Sequence, residues 1–235
     1  MRNDLCRVKE LIESGQDVNI WNEKILTTKF LTSKKKKAVF TIEDYEKGRE
    51  TPLHIATRHG YLDMTSMLVA HGADLEARDL RGNTPLHLAT RYNQPALVEF
   101  FLTSGAKVNA YDQGGWTALY WASSVHIATL LLDHGAGMHG VGEDTKDPLH
   151  YLALMPNQEV ALLLIKRGAE INKQDGEGKT PLHWATCGDN RKVVDRLLME
   201  GARTGVRDNN GKTAMDYAHE KNIPELIDLL HRYSL

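Results

Sequence analysis

A chain of 235 residues with 29 Lys+Arg against 31 Asp+Glu has a formal charge of −2, which singles out neither nucleic acid nor an anionic membrane as its main partner. Its 41% hydrophobic and 26% charged residues suit a globular protein, and no apolar run approaches the ~18–20 residues that cross a bilayer. Only Cys6 and Cys187 are present, far apart in the chain, which excludes a disulfide framework and points to a reducing compartment. Met1–Glu13 alternates charged with apolar residues and lacks the hydrophobic core of a signal peptide.

Residues 4–19 open the pattern. Leu5, Val8, Leu11 and Ile12 form the stripe of an amphipathic helix that ends at Ser14-Gly15, followed by Asp17-Val18-Asn19. Residues 20–50 break it. Ile25–Thr32 and Ala38–Ile42 are rich in β-branched and aromatic residues, and between them stand Lys34, Lys35, Lys36 and Lys37. This predicts an extended β-hairpin finger with the lysines near its tip; a disordered insert is the alternative. The lysines read as a solvated loop, or as a nuclear-import patch, or as a site for phosphates of lipid or nucleic acid, or for an acidic partner. Glu43, Asp44 and Glu46 follow and temper the phosphate reading.

From Thr51 a six-residue motif recurs: Thr51-Pro52-Leu53-His54-Ile55-Ala56, then runs starting at Thr84, Thr117, Asp147, Thr180 and Thr213, spaced 33, 33, 30, 33 and 33 residues apart. The threonine suits a helix N-cap, the proline the first helical position, and the histidine the place where Glu or Gln closes a capping box. Such an imidazole can bond back to the threonine or across to the next hairpin. The leucine turns inward, and the alanine lets a partner helix approach. A 33-residue period predicts stacked helix pairs that bury apolar faces only against their neighbours.

Residues 78–110, with Asp79, Gly82, Thr84–Ala89, Val98, Leu102 and Gly105-Ala106-Lys107-Val108-Asn109-Ala110, resemble one complete ankyrin repeat. Similar units cover nearly the whole chain except residues 20–46. The resemblance implies an all-α repeat solenoid with β-hairpin tips, read as a single ankyrin-repeat domain over 1–235. It comprises a half repeat (1–19), the inserted finger (20–50), repeats at 51–77, 78–110, 111–140, 141–173 and 174–206, and a C-terminal capping repeat (207–235). The first helix of the half repeat is missing, so either the chain begins with half a unit or it is cut from a longer protein, and the second is the expectation.

The departures from the period are informative. Residues 111–140 are three short, the loss falling near Ser123–His126, which must shorten a helix or tighten a turn. In 141–173 the cap becomes Asp147, the hairpin Asp and Gly become Gly142 and Thr145, and Leu152 replaces the motif alanine. That leucine is expected to fill space opened by the deletion.

Eleven histidines invite a metal or catalytic reading. His54, His87, His150 and His183 occupy one motif position and read as structural, roughly 10 Å apart and too far to share a metal with ~2 Å ligand bonds. His134 and His139 flank a Gly-rich turn with no Cys or acidic cluster evident beside them. With no phosphate loop, serine elbow or Cys–His pairing, no enzyme activity, metal or cofactor is expected.

After the motif histidine position stand Ile55, Leu88, Trp121, Tyr151, Trp184 and Tyr217, a ladder of rings that either packs between repeats or anchors a partner. By its resemblance the family binds partners at hairpin tips and along the concave inner-helix face. Those positions here are Arg78, Leu80, Arg81, Asn83, Arg91 and Tyr92, then Tyr111, Gln113, Gly114 and Trp116, with Tyr120 and Trp121 beside them. Further along they are Glu143, Asp144, Lys146 and Met155, then Gln174, Glu177 and Lys179. The richest stretch in Arg, Trp and Tyr, Arg78–Trp121, is the expected site. The expected partner is another protein, with an acidic one conceivable for the lysine finger. The chain is expected as a monomer in the cytoplasm, with the nucleus, or a host cytosol for a secreted effector, as other settings.

Overall fold

The structure, a computed structural model, describes residue 14, residues 50–140 and residues 146–233. The helix expected within 4–19, the finger with Lys34–Lys37, and Glu143 and Asp144 lie outside these residues. Five of the six repeats from Thr51 onward make a pair of α-helices, the exception being residues 111–140. These are α1 (Pro52–Arg58) with α2 (Leu62–Ala70), and α3 (Pro85–Arg91) with α4 (Pro95–Thr103). A 3₁₀ turn (Ala118–Trp121) is followed in sequence by α5 (Val125–Asp133), and α6 (Pro148–Leu154) pairs with α7 (Gln158–Lys166). The last are α8 (Pro181–Cys187) with α9 (Arg191–Met199), and α10 (Ala214–Glu220) with α11 (Pro224–Arg232).

The motif starts each inner helix as its chemistry predicts. Thr51, Thr84, Asp147, Thr180 and Thr213 are extended N-caps, each in a capping box with the residue three positions on. In the box at Thr84, the backbone N–H of Thr84 donates to His87 Nδ1 at 3.1 Å. The ring proton therefore sits on Nε2, which donates to the carbonyl of Trp116 at 3.0 Å, in the next repeat. His54, His150 and His183 reach the carbonyls of Asn83, Lys173 and Lys212 in the same way, at 3.0, 2.9 and 3.2 Å. Each imidazole thus makes both bonds foreseen for it. Burial holds all four below the usual histidine range, with the backbone carbonyl bonds opposing it more weakly.

The deletion in 111–140 falls on the inner helix, which becomes a 3₁₀ turn of four residues with Tyr120 N–H donating to Thr117 C=O at 3.1 Å. Tyr120 takes the buried seat of the motif histidine. Leu152 is buried in α6, where other repeats carry alanine.

The chain divides at this shortened repeat into two compact units. The first runs to Trp121 and includes Asp133–Gly135; the second is Ala122–Leu132 with Ala136–Leu235. In the first, α1 packs on α3 and α3 on the 3₁₀ turn, with α2 against α4 outside. In the second, α6, α8 and α10 stack in turn, backed by α7, α9 and α11. The motif leucines Leu53, Leu86, Leu119, Leu149 and Leu182 are buried throughout.

A second tie between repeats was not foreseen. Gln94 Nε2 donates to the carbonyl of Arg58 at 3.0 Å, and Asn190 Nδ2 to that of Met155 at 2.9 Å. Asn157 Nδ2 likewise donates to the carbonyl of Ser123. All three lie ten residues after a motif start, so the tie closes orphaned inner-helix carbonyls.

Candidate functional site

Four hairpin tips are each built on one aspartate: Asp79, Asp112, Asp175 and Asp208. Asp79 Oδ1 accepts the N–H groups of Arg81 and Asn83, both at 2.8 Å, and Oδ2 accepts Asn83 Nδ2 at 2.9 Å. Asp112 Oδ1 accepts Gly114 N–H at 2.8 Å and Trp116 N–H at 3.1 Å, and an antiparallel bridge joins Tyr111 to Thr117. Successive tips are then pinned together, Gln113 N–H donating to Arg81 C=O at 2.9 Å. Gly82 has φ +78°, and a Cβ there would lie 2.8 Å from Gln113 N, so this tip needs glycine.

On this frame the expected site separates into three groups. Leu80, Tyr92 and Tyr111 are 45%, 48% and 50% exposed, far more than large apolar groups in the core. Arg78, Arg81, Arg91 and Gln113 are exposed as well. Trp116 and Trp121 are half-buried, with ring centroids 5.2 Å apart, and the Arg91 guanidinium lies over Trp121 at 4.5 Å. Asn83 and Tyr120, only 2% and 1% exposed, are removed from the contact set. Asn83 turns back onto Asp79, and Tyr120 stacks beneath Trp116 at 5.6 Å. Arg78 is partly committed as a strap: it donates to the carbonyls of Gly82, at 3.0 Å, and Tyr111, and lies 5.8 Å from the Tyr111 ring. Gln174 straps its own tip alike, to the carbonyls of Gly178 and Arg207.

The later repeats are arranged differently. Lys146 and Lys179 place their ammonium groups 4.0 and 4.6 Å from the Trp184 ring, and Lys179 and Lys212 lie 5.3 and 5.4 Å from Tyr217. Trp184 Nε1 donates to Asp175 at 2.8 Å, and the Tyr217 hydroxyl to Asp208 at 2.6 Å. Glu177 binds both Lys146, at 2.7 Å, and Lys179, at 2.9 Å, which holds its carboxyl below the usual range. Lys212 pairs with Glu220 at 2.5 Å. Rings, cations and acids here satisfy one another.

His139 does have acidic neighbours, which corrects the expectation of none. Its Nδ1 is 3.6 Å from Asp147, and donor atoms of His139, Asp147 and Glu170 all lie within 4.8 Å. Asp147 is already engaged: it caps α6 and accepts the Gly140 N–H at 2.7 Å and the Lys173 ammonium at 2.9 Å. The cluster reads as a cap with its ion pairs. A groove of about 480 Å³ on the outer helices, lined by Val125, Leu162, Leu163 and Met199 among others, was not signalled by the repeat pattern.

The sequence model of the family described as "Ankyrin repeats (3 copies)" matches residues 1–112, 92–175 and 149–234. The chain therefore belongs to the ankyrin repeat family, and its fold class is the all-α ankyrin solenoid. Among solved structures it is similar to the ankyrin repeat domain of Bcl-3, a member of the IkappaB protein family, at 30% identity and TM-score 0.69, over 78% of this chain and 86% of that one. The human ASB11 ankyrin repeat domain gives 25% identity and TM-score 0.72, over 79% and 85%. An ankyrin repeat domain from Acinetobacter baumannii AYE gives 26% and 0.69, over 77% and 97%. A curated relative, the palmitoyltransferase Hip14 of Drosophila melanogaster, is 35% identical over 88 residues, 33% of this chain but only 14% of that enzyme. Ankyrin repeats are in general protein–protein interaction modules, and among the described residues no helix is long and apolar enough to cross a membrane.

Proposed function

We propose that this chain is a non-catalytic adaptor, a cytoplasmic monomer that captures a partner protein on the arginine-and-aromatic face of residues 78–121. One observation carries the reading. Leu80, Tyr92 and Tyr111 stand exposed beside Arg78, Arg81 and Arg91, and none of these arginines forms an ion pair among the described residues. Arg, Tyr and Trp are the side chains that most often dominate binding energy at interfaces. Leu80, Arg81, Arg91, Tyr92, Tyr111 and Trp116 are the contacts this reading favours, with Arg78 and Gln113 supporting the tips.

The competing reading is electrostatic capture of phosphate-bearing lipid or nucleic acid by Lys34, Lys35, Lys36 and Lys37. Immobilised full-length chain, its Tyr92→Ala variant, and a variant with the four lysines changed to Gln separate the two when each is exposed to cell extract. Loss of the captured proteins with Tyr92→Ala supports the inner face. Loss only with the lysine variant, and a steep fall in binding with salt, supports the rival.

A further inference from the structure

We infer that the partner segment received by the face of residues 78–121 is acidic, supplying a carboxylate to Arg91 and a second negative charge near Arg81. This rests on the proposal that the face receives a protein partner.

The argument comes from comparing one pair of positions across repeats: the residue just before the motif and the residue seven after its start. In the repeat beginning at Thr51 these are Glu50 and Arg58, and they form an ion pair. In the repeat beginning at Thr213 they are Lys212 and Glu220, paired at 2.5 Å with the charges exchanged. The repeat beginning at Thr84 carries Arg91 at the second position but Asn83 at the first. Asn83 is buried and turned onto Asp79, so it offers Arg91 no acid. The guanidinium instead lies on the Trp121 ring at 4.5 Å. This cation–π contact uses no N–H, and no described residue accepts a hydrogen bond from the Arg91 guanidinium, so its donors are left for a carboxylate. Glu50 beside Arg58 shows what that missing carboxylate does within one repeat.

Arg81 tells the same story at the hairpin tip. Its counterpart three residues before Thr180 is Glu177, which neutralises Lys146 and Lys179. Arg81 reverses that charge, and its side chain has no acid to meet among the described residues. The nearby carboxylates do not compensate, because Asp79 and Asp112 are consumed by the N–H groups of their own turns. Leu80 and Tyr92, each adjacent in sequence to one of these arginines, give an acidic segment apolar side chains to pack against. A nucleic acid fits less well, because a sugar–phosphate backbone has no apolar side chain to set against exposed Leu80.

The test uses the full chain and a fluorescein-labelled random Glu–Tyr copolymer, followed by anisotropy, with a Lys–Tyr copolymer and single-stranded polyuridylate as comparators. The wild type should bind the Glu–Tyr copolymer best. Arg91→Gln should weaken it about tenfold, as for a lost charged hydrogen bond, with Arg81→Gln several-fold. Arg91→Lys should fall between, and each variant should keep the wild-type melting midpoint. Replacing Lys34–Lys37 by Gln lowers overall affinity at most, leaving the Arg91 ratio unchanged. Indifference to both arginine variants, loss only on replacing the lysines, or preference for polyuridylate each overturns the inference. If Tyr92→Ala abolishes partner capture while the copolymer does not bind, the acidic chemistry fails and the surface reading stands. If Tyr92→Ala and Arg91→Gln both leave capture intact, the surface reading itself falls.

Discussion

Two stretches of this chain place a ring at the same repeat position, Trp121 in one and Trp184 and Tyr217 in the other, with cations beside it, yet they end in opposite states. From Lys146 to Tyr217, Trp184 and Tyr217 are covered by lysine ammonium groups and tied to Asp175 and Asp208, while Glu177 and Glu220 neutralise the lysines. From Arg78 to Trp121, the rings meet arginines that have no acid among the described residues, and Tyr92 and Tyr111 remain about half exposed. A ladder of aromatics is therefore no sign of a binding face by itself. The sign is whether the charges around it are already answered.

The largest effects should come from the frame the two stretches share. The four motif histidines are neutral in the fold, their pKa lowered from 6.5 chiefly by burial. The unfolded chain takes up protons below about that pH and the fold resists them, so stability is full above 6.5 and is lost as pH falls through it. Each histidine can contribute a slope approaching ~1.4 kcal/mol per pH unit. Melting at pH 7.5 and 5.5 should show a clear drop at the lower pH, and an unchanged midpoint would contradict neutral histidines in both regions.

Leu152→Ala comes next. The leucine is 4% exposed, and its loss should cost about 2–5 kcal/mol in chemical denaturation; a near-zero change would remove the idea that it fills space opened by the deletion. In the closed ladder, Trp184→Leu loses the Asp175 bond and the lysine contacts, and should cost about 1–2 kcal/mol without affecting partner capture. In the open stretch the reverse is expected. Arg91→Gln should change stability by no more than about 0.5 kcal/mol, as for an exposed side chain, while impairing binding.

Much of the frame was legible because one motif repeats at a nearly fixed interval. Capping, the inner leucines and the structural histidines follow from local chemistry and that ruler. The fate of individual surface residues does not. Its place in a hairpin tip marks Asn83 as a contact, but its backbone N–H and side-chain amide both donate to Asp79, at 2.8 and 2.9 Å, which turns it inward. The ring of Tyr120 marks it for the site in the sequence, yet it sits in the histidine's buried seat. The lysine–aromatic ladder joins residues a full repeat apart, such as Lys146 and Trp184, whose contact depends on how side chains lean between tips. The Glu50–Arg58 and Lys212–Glu220 pairs were within reach, since both lie at the same two positions of the period. The signal is a complementary charge eight residues on; the other four repeats lack it, and of these only the repeat with Asn83 carries an arginine, Arg91, at the second position.

The most direct measurement compares capture of partner protein by three forms of the full chain: wild type, Arg91→Gln with Tyr92→Ala, and Lys146→Gln with Lys179→Gln. The account predicts that the first pair of substitutions loses the partner and the second retains it. Loss through the lysine pair with capture intact in the Arg91–Tyr92 variant would contradict it.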